Sequence, residues 1–316
     1  MNEPQLVAAL RSAGCVFAED EARLLLDEAT SPAELMAWAA RRMAGEPLEQ
    51  IVGWAAFAGL RIAVDPRVFV PRRRSELVVE VASRQPAALV VDLCCGTGAL
   101  GAALAARWPA AEVYAADSDP VAVAGARRNL PPERVFEGDL YAALPEDLRG
   151  RVDLLVVNAP YVPTDAIATM PREARDHEHR MALDGGADGL DVQRRVAAGA
   201  PDWLSPGGRL VLETGRAQAE LTAALLSAVG LATSVETDDE IGATAVLGRA
   251  RTGTGGTISA DPGGLAESVA EPVPSGPSQP RLDSPPRPVP VSPRRRPPSP
   301  TPSFEETPQP WPSRSV

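Results

Sequence analysis

The chain has 316 residues, of which 44% are hydrophobic, and a formal net charge of -11. This length exceeds that of a usual single domain, so we expect one large catalytic domain with smaller parts. The negative charge argues against a broad nucleic-acid-binding surface, because a polyanion is bound by clustered basic side chains.

The cysteine and histidine content predicts neither disulfides nor a metal site. Cys15, Cys94 and Cys95 are too few for a disulfide framework or a four-ligand zinc site. His177 and His179 lack a third ligand at a useful spacing. The amino terminus has no basic segment followed by an apolar one, and no apolar run approaches the roughly 18 residues of a membrane span. We therefore expect a cytoplasmic protein without membrane contact.

The first part of the chain predicts a small helical domain over residues 1–50. Its apolar residues recur with helical periodicity, and Ser31 with Glu34 three residues later is typical of a capping box. Residues 51–75 have a shorter apolar spacing interrupted by Gly and Asp-Pro turn signals. This pattern predicts a hairpin linker.

Residues 76–250 alternate between helical segments and short apolar strands. Such alternation is typical of right-handed β-α-β crossovers and of an α/β fold with a mostly parallel sheet. The candidate strands lie at residues 88–92, 112–116, 134–136, 152–157, 209–213, 231–236 and 243–248. The last two are separated by an acidic turn that contains glycine, which predicts an antiparallel edge.

The composition changes after residue 250, since 17 of the 33 prolines fall in residues 251–316. This segment cannot bury enough apolar surface to offset its chain entropy, so we predict a disordered tail. Its Pro-Arg-Arg-Arg-Pro-Pro stretch at residues 293–298 is a candidate ligand for a polyproline-recognising domain. An inert, solvated tail is the alternative.

A glycine turn follows the first strand of the predicted sheet. Asp92 ends that strand, and Cys95-Gly96-Thr97-Gly98 leads into a helix, which is typical of a nucleotide-like cofactor site. Residues 96–101 also match GxGxxG, so a dinucleotide such as NAD is an alternative, although this match alone is weak. Asp92 would repel a pyrophosphate and attract a cationic aminoacyl-sulfonium ligand.

Two further acidic residues follow, Asp117 at the end of the second strand and Asp139 shortly after the third. Asp117 is placed to accept both hydroxyls of a ribose, and Asp139 is placed for the exocyclic amine of adenine. This order of residues resembles that of the class I S-adenosylmethionine-dependent methyltransferases, which have a Rossmann-like, mostly parallel seven-stranded sheet. The resemblance implies S-adenosyl-L-methionine as the cofactor. Its predicted binding residues are Asp92, Cys94, Gly96, Thr97, Gly98, Asp117, Asp139 and Asn158. Cys94 and Cys95 are predicted to pack under the turn, because a nucleophilic cysteine needs an adjacent base.

The tetrapeptide Asn158-Ala159-Pro160-Tyr161 stands directly after the apolar strand at residues 152–157, where open α/β sheets bind ligands. An amide or aryl-amine nitrogen is a poor nucleophile because its lone pair is delocalised. Asn158 Oδ1 and the Ala159 carbonyl offer two acceptors for one NH2 group. Pro160 restricts Ala159 to an extended backbone, and Tyr161 supplies a flat wall. These four residues are therefore the predicted catalytic residues.

Residues 158–163, with 171–178 and 182–190, resemble the protein-(glutamine-N5) methyltransferases of the HemK type. The similarity extends from the helical amino-terminal part to about residue 249. It implies methyl transfer to the side-chain amide of a glutamine exposed on a protein, with a peptide chain release factor as the candidate substrate. Ala159 departs from the family, which has proline there. The family's Pro-Arg-Pro-Glu-Thr-Glu is similar to residues 71–76, where a proline and an acid have become arginines.

Other interpretations of the sequence stay open. The same tetrapeptide architecture serves a nucleic-acid base amino-group N-methyltransferase acting on RNA or DNA, although the acidic charge predicts no stable nucleic-acid binding. A binding protein that has lost turnover through Ala159 is a further alternative. Arg72, Arg73 and Arg74 either contact an acidic or RNA-associated substrate surface or form a solvated face of the linker.

Overall fold

The computed structural model describes residues 1–252. The predicted proline-rich tail, including the candidate polyproline ligand at residues 293–298, lies outside the described residues. None of the helices within the described part of the chain is long and apolar enough to cross a membrane.

The amino-terminal part consists of helices packed around their own apolar cluster, which includes Leu6, Leu10 and Leu25. The helices are α1 (Glu3–Ser12), α2 (Ala18–Glu28), α3 (Pro32–Met43) and α4 (Leu48–Val52). Ser31 caps α3, since its hydroxyl accepts from the N–H of Glu34 at 3.2 Å. The Glu34 carboxylate accepts from the N–H and hydroxyl of Thr30 instead of from Ser31. The second bond of the predicted capping box, from the Glu34 side chain, is therefore made to Thr30 and not to the N-cap residue Ser31.

A two-stranded antiparallel hairpin follows, formed by β1 (Trp54–Phe57) and β2 (Leu60–Ala63). The intervening Ala58 and Gly59 both have positive φ, at 50° and 79°, as a tight hairpin turn requires. The side-chain amide of Asn129 bonds to both backbone groups of Ala63, at 2.9 and 3.0 Å, and to the carbonyl of Thr97 at 2.8 Å. One side chain therefore ties the hairpin to the glycine turn. The domain boundaries after residues 50 and 75 stay predictions.

The predicted mostly parallel, seven-stranded sheet is confirmed, with the strand order β5-β4-β3-β6-β7-β9-β8. Its strands are β3 (Leu89–Leu93), β4 (Glu112–Asp117), β5 (Val135–Glu137), β6 (Val152–Val157), β7 (Leu204–Glu213), β8 (Ala232–Asp238) and β9 (Ala243–Arg249). The central strand β3 is buried along its whole length, as its continuous apolar run predicts. The accompanying helices are α5 (Glu76–Ser83), α6 (Ala99–Arg107), α7 (Pro120–Asn129), α8 (Arg172–His177), α9 (Asp191–Trp203) and α10 (Ala219–Ala228).

The antiparallel connection predicted between the last two strands is present at the end of the sheet. The reversed strand is β9, which pairs with β7 on one side and with β8 on the other. The outermost strand β8 therefore runs in the same direction as the parallel strands. Strands β3, β4, β6 and β7 end at the same side of the sheet, so the loops that follow them meet there.

Candidate active site

A cavity of about 490 Å³ lies where those strands end, and both sequence motifs contribute to its wall. Of the predicted site residues, it brings together Cys94, Gly96, Thr97, Asp117, Asp139, Asn158, Ala159, Pro160 and Tyr161. Asp92 and Gly98 do not line the cavity but lie behind its wall. Asp92 is 1% exposed, and a Cβ at Gly98 would come within 2.9 Å of the Leu130 side chain.

The glycine turn has a left-handed backbone at Cys94, Gly96 and Gly98, with φ of 56°, 53° and 74°. Gly96 faces open space, since an added Cβ would meet nothing within 4 Å. Its N–H donates to Asp117 Oδ2 at 2.8 Å. The turn therefore leaves its backbone free for close approach by a ligand and is held in place by the end of β4.

Asp117 is fixed by the backbone on both carboxylate oxygens. Besides the bond from Gly96, Oδ1 accepts from the N–H of Asp119 at 2.9 Å. Burial raises the pKa of Asp117, and the backbone hydrogen bonds act in the opposite direction. Each oxygen of a carboxylate has a second lone pair, so this side chain can still accept from a ligand at the cavity wall.

Asp92 is a buried carboxyl group at the end of β3. Its Oδ2 accepts from the N–H of Gly101 at 2.8 Å, and its Oδ1 has no hydrogen-bond partner within residues 1–252. Burial raises the pKa of Asp92 well above its usual range. Glycine at position 101 allows the backbone to come this close to the Asp92 carboxyl group, because a Cβ at Gly101 would lie only 3.2 Å from Oδ2.

Asp139 lines the cavity but is not free of other contacts. Its carboxylate pairs with Arg195 of α9, and the two side chains are 62% and 55% exposed. Such an exposed pair is weak and opens at little cost. Nothing in the local sequence connects Arg195 with the loop at Asp139, so sequence reasoning missed this partner.

The tetrapeptide presents its carboxamide to the cavity in a defined orientation. Asn158 Nδ2 donates to the hydroxyl of Ser75 at 3.3 Å, which leaves Oδ1 as the remaining acceptor. Ala159 is 1% exposed. The Tyr161 hydroxyl donates to Glu213 Oε1 at 3.0 Å, and burial raises the pKa of Tyr161. The ring is therefore held as a neutral phenol against the end of β7.

Arg72 and Arg74 each pair with a buried glutamate, a role that the sequence did not suggest. Arg72 pairs with Glu178, whose side chain is fully buried, and Arg74 Nε lies 3.3 Å from Oε1 of Glu213, which is 2% exposed. Both arginines line the cavity. Burial raises the pKa of each glutamate, and the arginine beside it acts in the opposite direction. The two guanidinium groups therefore offset buried negative charge.

Two histidines contribute to the attachment of the segment between the tetrapeptide and α9. The His179 ring nitrogen Nδ1 lies 2.5 Å from Asp119 Oδ2, and the backbone N–H of His179 donates to the Arg67 carbonyl at 2.9 Å. Gln50 of α4 donates to the His177 carbonyl at 3.3 Å. Both histidines thus have structural contacts. No group of three or more potential metal ligands occurs within the described residues.

The two cysteines of the turn are poor candidates for thiol chemistry. Burial raises the pKa of both Cys94 and Cys95, and the nearby Asp117 and Asp92 raise it further. A thiolate, the reactive form, is therefore disfavoured. This agrees with their predicted role in packing.

Comparison with known proteins adds the following findings. The family model described as a methyltransferase small domain matches residues 61–176. The chain is 40% identical over 233 residues to a release factor glutamine methyltransferase of Geobacter sulfurreducens, covering 70% of this chain and 80% of that protein. It is 42% identical over 199 residues to a protein of the same name from Cereibacter sphaeroides, covering 61% and 70% of the two chains. It is also 39% identical over 201 residues to a 4-amino-L-phenylalanine/4-methylamino-L-phenylalanine methyltransferase of Streptomyces pristinaespiralis, covering 60% and 68%.

Proposed function

Because this chain belongs to the release factor glutamine methyltransferase family, we propose that it transfers a methyl group from S-adenosylmethionine to N5 of a glutamine side chain in a release factor. The observation that carries the proposal is the shared cavity, in which the glycine turn and the Asn158-Ala159-Pro160-Tyr161 tetrapeptide form parts of one wall. The proposed substrate is a protein, and the proposed site of action is the cytoplasm. Binding of the tail to a polyproline-recognising domain stays a prediction.

The acidic residues around the turn fit a cationic cofactor of this kind. Asp117 and Asp139 supply negative charge, and Asp92 Oδ1 is a buried acceptor without a hydrogen-bond partner in the described chain. We assign the ribose hydroxyls to Asp117, the adenine amine to Asp139, and close backbone contact to Gly96 and its neighbours Cys94 and Thr97. Gly98 supports the turn from behind through its contact with Leu130.

The substrate amide would be held by two acceptors. Asn158 Oδ1 and the main-chain carbonyl of Ala159 each accept one hydrogen of the glutamine NH2 group. Tyr161 packs against the plane of the amide, and Pro160 limits the backbone freedom of Ala159. With both hydrogens held, the nitrogen lone pair can be turned toward the electrophile.

When bound, S-adenosylmethionine would supply an electrophilic methyl group attached to a sulfonium; the S–CH3 bond breaks as the N–CH3 bond forms, and the neutral thioether S-adenosylhomocysteine is the leaving group. The protein's contribution is alignment and exclusion of water, since no strong base is needed. The methylated nitrogen carries an extra proton for a short time and loses it readily. Asn158 Oδ1 and the Ala159 carbonyl hold that proton until it passes to solvent.

The proposal is tested by incubating the protein with a bacterial peptide chain release factor and methyl-tritiated S-adenosylmethionine. We expect label in the release factor, and mass spectrometry should place the added methyl on one glutamine side chain. The control is the same release factor with that glutamine replaced by asparagine, which should stay unlabelled. Label found only in added RNA or DNA would contradict the proposal and favour a nucleic-acid base as the acceptor.

A second candidate acceptor is the aromatic amine of a small amino acid, favoured by the similarity to the Streptomyces pristinaespiralis enzyme. An aryl NH2 is planar and has two hydrogens, so the same two acceptors could hold it. Ala159, which stands where the glutamine enzymes have proline, is consistent with a changed acceptor. Methylation of 4-amino-L-phenylalanine without any labelling of the release factor would decide for this candidate.

A further inference from the structure

We infer that Ser75 is a positioning residue which, together with Glu213, determines that the oxygen of the Asn158 carboxamide faces the acceptor amine. The inference rests on the proposed function in so far as the acceptor has an NH2 group. It concerns a residue that lies outside the tetrapeptide and contacts neither reacting atom.

A carboxamide side chain needs a positioning residue because its oxygen and nitrogen ends have nearly the same shape. Rotation of the Asn158 side-chain amide by half a turn would exchange Oδ1 for the Nδ2 donor. The substrate NH2 would then meet another NH2 group, with two donors facing each other and no hydrogen bond formed. The hydrogen bonds around Asn158 must therefore distinguish its oxygen from its nitrogen.

Ser75 is suited to make this distinction. It ends the short 3-10 turn Arg73–Ser75 that leads into α5, it is 3% exposed, and it lines the cavity. Its hydroxyl oxygen accepts from Asn158 Nδ2 at 3.3 Å. Because Ser75 holds the nitrogen end, the oxygen end is left for the acceptor.

A hydroxyl can donate as well as accept, so its own proton must be directed elsewhere. Glu213 is the group that can direct it. This carboxyl is 2% exposed, and its Oε1 already accepts from Tyr161 at 3.0 Å and lies 3.3 Å from Arg74 Nε. Its Oε2 has no hydrogen-bond partner in residues 1–252. Ser75 lowers the pKa of this carboxyl group, so its hydroxyl lies beside Glu213, and the unpartnered Oε2 is the acceptor to which we assign the hydroxyl proton. With its proton turned toward Glu213, Ser75 presents lone pairs to Asn158 Nδ2.

The experiment compares Ser75→Ala with Ser75→Thr, which keeps the hydroxyl. We expect kcat to fall about tenfold in Ser75→Ala, because the variant loses one hydrogen bond to Asn158, the side chain that binds the acceptor amine. The dissociation constant for S-adenosylhomocysteine should stay within about twofold of its original value. Ser75→Thr should recover kcat to within about threefold of the unaltered protein. The matched control is Ser83→Ala in α5, whose hydroxyl donates to the Val79 carbonyl and should leave kcat unchanged.

A second measurement does not depend on any acceptor. The side-chain Nδ2–H2 signals of Asn158, identified by their loss in Asn158→Ala, should shift in the NMR spectrum of Ser75→Ala and stay near their original position in Ser75→Thr. If Ser75→Ala does not fold, Ser75→Cys, a nearly isosteric and weaker acceptor, replaces it. A kcat within twofold of normal for the variant without the hydroxyl, or unchanged Asn158 signals, would overturn the inference.

The part played by Glu213 is tested with a double-variant cycle. Glu213→Gln removes the anionic acceptor and should lower kcat, and Ser75→Ala should cause no further loss when added to it. Multiplicative losses would show that the two residues act independently and would overturn the coupling. Should the protein methylate an aryl amine instead of glutamine, the same kinetic series is run on that acceptor. The series can therefore test the role of Ser75 even if glutamine proves not to be the substrate.

Discussion

The guanidinium of Arg72 pairs with the buried carboxylate of Glu178, which lies 106 residues further along the chain. The same Glu178 Oε1 accepts from the N–H of Val70 at 3.3 Å. This pair joins the linker before α5 to the segment that follows the tetrapeptide. Both residues line the cavity, so the pair closes one of its walls.

Removing the arginine should be strongly destabilising. Arg72→Ala would leave Glu178 buried and unpaired, which we expect to lower the free energy of unfolding by about 3 kcal/mol at neutral pH. Arg73→Ala, a change at the exposed neighbouring position, should stay within about 0.5 kcal/mol of the unaltered protein. Urea denaturation measures both. Adding Glu178→Gln to Arg72→Ala should recover most of the loss, and equal losses for the two arginine variants would refute the importance of the pair.

Asn158→Ala should separate binding from chemistry. The variant removes one of the two acceptors that we propose for the substrate amide, so we expect kcat to fall by roughly a hundredfold or more, as misalignment of a reacting group implies. The glycine turn does not depend on this side chain, and calorimetry should therefore find cofactor affinity largely intact. Equal loss of affinity and turnover would show that Asn158 supports the fold instead of the substrate.

Asp92→Asn should stabilise the folded protein at alkaline pH. Burial raises the pKa of Asp92 in the folded state well above the ordinary value of 3.8, so the folded protein holds this proton more tightly than the unfolded chain. The resulting contribution is fully present below the ordinary pKa and is lost as the pH rises through the raised value. The nearly isosteric, uncharged asparagine avoids that loss. Its advantage in melting temperature should grow from acidic to alkaline pH.

The same variant should bind the cofactor more weakly at alkaline pH, because above the raised pKa it removes a negative charge from beside the glycine turn. Calorimetry with S-adenosylhomocysteine and with S-adenosylmethionine distinguishes the contribution of the sulfonium charge. A melting-temperature difference that is constant across the pH range would contradict the argument from Asp92.

Gly189→Ala should disturb the tetrapeptide from a distance. An added Cβ would lie 2.2 Å from the Tyr161 carbonyl oxygen and 2.3 Å from Gln218 Nε2, and this glycine has a φ of +77°. Gly150→Ala is the matched control, since its φ is +71° and a Cβ there meets nothing within 4 Å. Both variants share a backbone cost of about 1 kcal/mol. Only Gly189→Ala should also lose turnover, and equal kcat values for the two would refute the contact.

Local sequence patterns predicted much of the fold and most of the residues that line the candidate site. The strands could be recognised because continuous apolar runs mark buried parallel strands, and the glycine turn and tetrapeptide could be placed because each directly follows such a run. The partners that orient these motifs could not be found in this way. Ser75 and Arg195 reach the site through contacts between distant parts of the chain, and no local periodicity encodes a contact of that kind.

The arginines at residues 72–74 show most clearly that a sequence pattern does not identify the partner of a charged side chain. From composition alone they indicated a basic face, either exposed or directed toward a substrate. Arg72 and Arg74 instead face two buried glutamates that come much later in the sequence. A charged run can be assigned to solvent or to a buried partner only once the opposite charge has been located.

The position of β9 constrains how a newly synthesised chain can complete its sheet. Strand β8 is made before β9, yet its place in the sheet depends on pairing with β9. Until residues 243–249 leave the ribosome, β7 exposes a bare edge of unpaired backbone groups, and such edges recruit other chains. A chain that stops shortly before residue 243 should therefore accumulate as aggregates rather than as a smaller enzyme.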